Sequence, residues 1–375
     1  MPSRQRTPRR SAGLAILTLA VVAAIVWSTL YPFSGWRPWS SLRAIGFGFV
    51  FEPWPRYWTR FDVALNIAMY VPLGILLPLL IDGRRPPSWL AAGLALVAAS
   101  GLSLVLEWLQ TLLPGRVPSR LDWAANTAGA FAGIVLAIAF ERFLAHRWQR
   151  WRATHHHRLP FDEGAGTGLV LLLAWLLAQA APQVFVFGTG RLGDAAFVAL
   201  GIEPAAVDAW RLPESVARLA EGVGVFLTVL AIGGLVRTII RPGARWFAIT
   251  VATIACAAAV RAAGAYWLPD PQAPFGWLSA APQGGLLVSL PALLACGWLD
   301  RRQATAVGLV ALVLATVLHN LTPASDYQRT MIAAADHREW ANLTALITAI
   351  GFAWPYAAIA FLGARLSSRR DGRRL

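Results

Sequence analysis

Ten stretches of mostly apolar residues, each long enough to reach across a bilayer, constrain this chain more than any other feature. They cover 13–31, 62–81, 88–113, 122–144, 166–187, 215–236, 246–267, 283–299, 304–321 and 341–364. A helix needs about 20 such residues to cross roughly 30 Å of hydrocarbon. The pattern therefore predicts an all-α, polytopic transmembrane bundle of about ten spans. The eighth and ninth stretches are short and separated only by Asp300-Arg301-Arg302-Gln303, so they are the weakest of the ten. Composition excludes the alternatives. Of 375 residues only 14% are charged and 57% are hydrophobic, whereas a soluble domain carries about a quarter charged residues. Too few charges remain to clothe a water-facing globule, and the hydrophobic excess excludes disorder. The 18 tryptophans suit membrane–water interfaces.

The arginines orient the bundle. All 33 basic residues are arginine, and they lie in short segments between apolar runs. The net charge of +14 is thus read as topology control, with no nucleic acid expected as a partner. With the amino terminus in the cytoplasm, the inside segments hold 21 arginines and the outside segments 11, with Arg261 inside a span. That asymmetry satisfies the positive-inside rule with both termini cytoplasmic, and one span more or fewer would invert every later loop. The first apolar run has no small-x-small cleavage site, so it reads as a retained helix and not a signal peptide.

Segment 145–165 is the longest inside loop and separates a four-span domain (1–144) from a second membrane domain (166–375) of about six spans. In this linker Arg147, Arg150, Arg152 and Arg158 alternate with Trp148 and Trp151, which suits a helix lying on an anionic leaflet. His155-His156-His157 reads as a solvated loop, because adjacent histidines on one helix cannot face one ion. Cys256 and Cys296 both lie in apolar runs, so neither a disulfide framework nor a metal site is indicated, and no cofactor is implied.

Polar residues inside membrane helices are costly, so their positions are informative. In the third stretch Ser100, Ser103, Glu107 and Gln110 share one helical face. In the fourth, Asp122, Asn126, Gly129 and Gly133 do the same, the glycines forming a GxxxG that permits close backbone approach. Asp62 and Asn66 share a face in the second, where Pro72 and Gly74 further along are expected to kink the helix. A short loop with two prolines holds Arg116 and Arg120 over the same end. Asn66, Glu107, Gln110, Arg116, Asp122 and Asn126 are therefore expected together on the outer side. Spacing leaves two readings open: polar glue between helices with Arg116 neutralising Asp122, or a ligand site.

The stretches D-V-A-L-N-I-A-M-Y-V-P-L-G (62–74), E-W-L-Q-T-L-L-P-G-R (107–116) and D-W-A-A-N-T-A-G-A-F-A-G (122–133) resemble the VanZ-like family. The resemblance covers roughly residues 13–144. Its signature positions correspond to Asn66, Pro72, Gly74, Glu107, Gln110, Arg116, Asp122, Asn126, Gly129 and Gly133, while Tyr70-Val71 stands where the family often has Phe. The resemblance implies a multi-pass protein of the bacterial cytoplasmic (inner) membrane, in a family named for an accessory protein of teicoplanin resistance. Glycopeptides of that kind act on cell-wall precursors at the outer leaflet.

Three functions are compatible with these residues. The preferred one is an envelope protein that binds an amphipathic or lipid-linked ligand, a membrane lipid or lipid-linked cell-wall precursor, at the outer cluster. The second is an embedded enzyme with Glu107 as general acid/base and Arg116 holding a phosphate. The third is a transporter using Glu107 as a protonation switch. Hydrolase, P-loop and zinc-protease signatures are absent from the sequence. In 166–375, Glu221 is the expected partner of the deeply placed Arg261. His319 is expected to make a helix-terminal hydrogen bond. The loop 322–340, with Asp326, Tyr327, Arg329, Asp336, His337, Arg338 and Glu339, is expected on the outer side.

Overall fold

In the computed structural model, the described residues are 8–31, 47–82, 86–114, 116–145, 165–181, 185–191, 209–266, 275–323 and 341–367, with a few residues between these stretches. The chain divides into two compact units, Met1–Arg158 and Leu159–Leu375. Ten α-helices and no β-strand occur among the described residues, and the helices fall on the ten apolar stretches in order. Seven are long and apolar enough to cross a membrane. The ninth stretch is one of these, a helix running from Arg301 to Leu321, whereas the eighth is only 17 residues long.

The first unit contains α1 (Pro8–Leu30), α2 (Arg60–Asp82), α3 (Trp89–Gln110) and α4 (Arg120–Ala139), the last continuing as a π-turn over Phe140–Leu144. Local chemistry sets their starts. Thr59 Oγ1 accepts from the Asp62 N–H and donates to Asp62 Oδ2, Ser88 Oγ accepts from Ala91 N–H, and Ser119 Oγ accepts from Leu121 N–H. α2 stays helical through Pro72 and Pro78. The glycines are contact points between α2 and α4. A Cβ on Gly74 would lie 2.1 Å from the Ala130 carbonyl oxygen. On Gly129 and Gly133 it would lie 2.2 Å from the carbonyl oxygens of Ile67 and Val71. Without Cβ atoms these two backbones touch, which is how helices associate where lipid removes the hydrophobic drive. Ile25, Leu30, Tyr70, Leu73, Ala99, Leu106, Leu113 and Ala130 form the core beside this contact.

The second unit contains α5 (Gly166–Ala178), α6 (Glu214–Ile239), α7 (Trp246–Tyr266), α8 (Ala280–Cys296), α9 (Arg301–Leu321) and α10 (Ala341–Ser367). α6 is its axis, packed by glycines against α9 (Gly234 on Gly308) and α8 (Gly222 with Gly285). Asp300 and Gln303 close a capping box at the start of α9.

One apolar stretch differs from expectation. Over 166–187 the helix stops at Ala178, and Phe185–Gly190 is irregular backbone buried in the unit. Phe187 (φ 60°) and Gly190 (φ 79°) take left-handed conformations that turn the chain there. Irregular backbone survives at such a position only if protein groups satisfy it. The Trp175 indole N–H donates to the Phe187 carbonyl, and Asn320 Nδ2 and Tyr356 Oη donate to the Gly190 carbonyl. The Gly190 N–H in turn donates to the Gly351 carbonyl.

Candidate functional site

At one end of the first unit, the turn after α3 and the start of α4 bring polar side chains from three helices together. Glu107 is the innermost acid. It lies one turn before the end of α3, with only 2% of its surface exposed, and its Oε2 accepts from the Ser119 N–H at 2.9 Å. Ser119 thus serves twice, its hydroxyl capping α4 and its N–H holding Glu107. Asn66 on α2 donates from Nδ2 to Asp122 Oδ1 on α4 at 2.8 Å. Asn126, one turn further along α4, donates to Ser103 Oγ on α3 at 3.0 Å. Ser100 and Thr127 share a hydrogen bond at 3.0 Å, and the Trp123 indole N–H donates to Ser100 Oγ.

The carboxylates form a chain of neighbours. Asp62 lies within electrostatic reach of Asp122, and Asp122 within reach of Glu107. Arg116 is the cation that acts on Glu107, yet its Nε and Nη2 both donate to the Tyr31 carbonyl, at 3.2 and 2.7 Å. Burial lowers the Arg116 guanidinium pKa from its ordinary value, and the Glu107 carboxylate opposes that shift. The expected bridge between Arg116 and Asp122 is therefore replaced. Asp122 takes the Asn66 amide, while the arginine anchors the loop to the end of α1. Gln110 also turns to α1, donating to the Thr29 carbonyl at 3.0 Å. Of the six residues expected together, Asn66, Asp122, Asn126 and Glu107 face one another's neighbourhood, whereas Gln110 and Arg116 tie the rim to α1.

Tyr70 belongs to the cluster although spacing did not single it out. Its hydroxyl is buried, faces Ser103 and Glu107, and makes no well-formed hydrogen bond. Asn126 Oδ1 is likewise buried without a partner. A signal was available: Asp62, Asn66, Tyr70 and Gly74 repeat every four residues and so share one stripe of α2. Aromatic residues border the cluster, Phe47 stacking on Trp108 at 5.3 Å and the Arg120 guanidinium lying 4.6 Å over Trp54. Among the described residues, no three His, Cys, Asp or Glu side chains converge closely enough to hold one metal ion.

In the second unit, Glu221 and Arg261 are both buried, and the Arg261 guanidinium lies 5.9 Å over the Trp277 ring. His319 does not serve a helix end. Its ring is enclosed by Phe185 (4.6 Å, stacked), Gly188 and Gly224, next to the Thr189 backbone. Gly115, the linker residues Trp148, Trp151, Arg152, His155, His156, His157 and Arg158, and Asp326, Tyr327, Asp336, His337, Arg338 and Glu339 lie outside the described residues.

Ten helices on ten apolar stretches, seven of them of spanning length, define a multi-pass helical membrane protein with a buried polar cluster in its first unit. A family model described as VanZ/LLP1 matches residues 14–141, in the N-terminal part of the chain. No curated protein and no solved structure matches the chain.

Proposed function

We propose that the first unit binds the headgroup of an amphipathic or lipid-linked envelope ligand at the cluster around Glu107, Asp122 and Asn126. The observation that carries this reading is Glu107, a carboxylate engaged by one backbone N–H, in a cluster that holds two buried polar atoms with no partner, Tyr70 Oη and Asn126 Oδ1. Helix association has no use for such groups. The glycine contacts and the Asn66–Asp122 and Ser100–Thr127 pairs already join the helices. A buried polar group left unfilled costs about 1–3 kcal/mol, so a ligand that fills it gains binding energy. The arginine asymmetry supports an extracytoplasmic position for the cluster, where lipid-linked cell-wall precursors and glycopeptides are encountered.

The test is complementation of a deletion strain with Glu107→Ala, Arg116→Ala and Asp122→Ala, with each protein quantified in the membrane. Loss of teicoplanin tolerance or of envelope-stress resistance at undiminished protein level is expected for Glu107→Ala and Asp122→Ala. Full complementation by all three variants would overturn the reading.

A further inference from the structure

We infer that the ligand group entering this cluster is a protonated primary amine, recognised as a hydrogen-bond donor and cation and not through a phosphate. The inference rests on the binding reading above and adds the chemistry of the ligand.

Hydrogen-bond capacity is the first argument. Several of the donors the protein supplies here are engaged: Asn66 Nδ2 on Asp122, Asn126 Nδ2 on Ser103, Gln110 Nε2 on the Thr29 carbonyl, Trp123 Nε1 on Ser100, and two nitrogens of Arg116 on the Tyr31 carbonyl. Two open atoms in the middle of the cluster can accept. Asn126 (5% exposed) presents an unpartnered Oδ1, and Tyr70 (2% exposed) a hydroxyl facing Ser103 and Glu107 that can accept as well as donate. Trp108 Nε1 and Arg120 Nε also lack partners, but their side chains lie against the Phe47 and Trp54 rings.

Charge is the second argument. Asp62, Asp122 and Glu107 follow one another within electrostatic reach, and the one arginine acting on Glu107 is turned onto a carbonyl. An excess of carboxylate in a poorly solvated place is stabilised when a cation joins it. Metal ions need several ligands on one point, and among the described residues no three suitable side chains converge. An ammonium group needs no such convergence, because it is a compact charge with three donors that can be shared among separate acceptors. A phosphate entering the same place would meet three acidic side chains and an arginine with two of its nitrogens already engaged by the Tyr31 carbonyl.

Such an amine is carried by an ethanolamine phospholipid or by a peptide amine on a lipid-linked cell-wall precursor. The experiment uses the full-length protein in phosphatidylcholine nanodiscs, with retained lipid counted by native mass spectrometry. One arm adds phosphatidylethanolamine, its N,N-dimethyl derivative or phosphatidylglycerol. A second arm adds a polyprenyl-diphosphate precursor whose stem-peptide amine is free or acetylated. Retention of a free-amine species about tenfold above its methylated or acetylated counterpart is expected in one arm, and that arm identifies the source. Glu107→Gln and Asp122→Asn should each reduce it by about tenfold, whereas Gly93→Ala should not.

The methylation and acetylation comparisons use the wild-type protein, so they hold even where a variant fails to fold. Equal or stronger retention of phosphatidylglycerol, together with indifference to acetylation, would overturn the amine. If that retention still fell with Glu107→Ala and Asp122→Ala, the binding site itself would stand. If no lipid responded to any cluster substitution, both would fall.

Discussion

Asn66 is the residue on which the electrostatics of the cluster turn, since its amide is the donor that Asp122 takes in place of Arg116. Replacing it with leucine keeps the volume and removes the donor. Asn66→Leu is expected to lower stability by about 1–3 kcal/mol, because Asp122 is left without its hydrogen bond. Asn66→Asp is expected to cost more than Asn66→Leu, since it adds a fourth carboxylate to a row of three. Thermal unfolding in detergent reads both, and an unchanged melting temperature for either would contradict the role given to this amide. Asn66 and Asp122 were legible in the sequence because side chains four apart share a helix face and polar ones inside a span are rare. Tyr70 was not singled out, although it continues the same stripe, because a lone tyrosine in an apolar run reads as packing. The carbonyls of Thr29 and Tyr31 had no sequence signal at all: every residue carries a carbonyl, and only the fold shows which ones meet Gln110 and Arg116.

Between elements, the α2–α4 contact rests on missing Cβ atoms. Gly74→Ala, Gly129→Ala and Gly133→Ala each place a carbon about 2 Å from a facing carbonyl oxygen, so the helices must part. A loss of about 2–3 kcal/mol is expected for each. Gly93→Ala and Gly101→Ala on α3 meet nothing within 4 Å. They are expected to change stability by no more than about 1 kcal/mol, in the stabilising direction that helix propensity predicts. A denaturant titration comparing the five variants tests this, and equal effects in the two groups would show that the contact is not close. The GxxxG of α4 announced this packing in advance. The break after Ala178 was not foreseen, because apolar residues continue to Phe187 and hydropathy does not register hydrogen-bond partners supplied from distant helices. Asn320→Leu removes one of the two side-chain donors on the Gly190 carbonyl. It is expected to destabilise the protein by about 1–2 kcal/mol, measured in the same titration; a neutral outcome would mean that the irregular segment is held by packing alone.

For the whole molecule, apolar length carried most of the prediction: the sequence marks out ten helices, and the family match falls inside the first compact unit. The arginine asymmetry further predicts that both termini are cytoplasmic. A green fluorescent protein fused after Leu375 should fluoresce, and alkaline phosphatase inserted after Val117 should be active; the reverse pattern would invert the orientation. The claim underlying the account is that polar side chains of α2, α3 and α4 receive a lipid-borne headgroup at the α3–α4 turn. Photocrosslinking in membranes tests it most directly, with a benzophenone side chain at Val117, 83% exposed beside the cluster, and a control at Leu90, 74% exposed near the other end of α3. The account predicts that Val117 captures one lipid species enriched over the bulk membrane, and that Glu107→Ala abolishes the enrichment. Capture at Val117 that mirrors the bulk lipid as capture at Leu90 does, unaltered by Glu107→Ala, would contradict it.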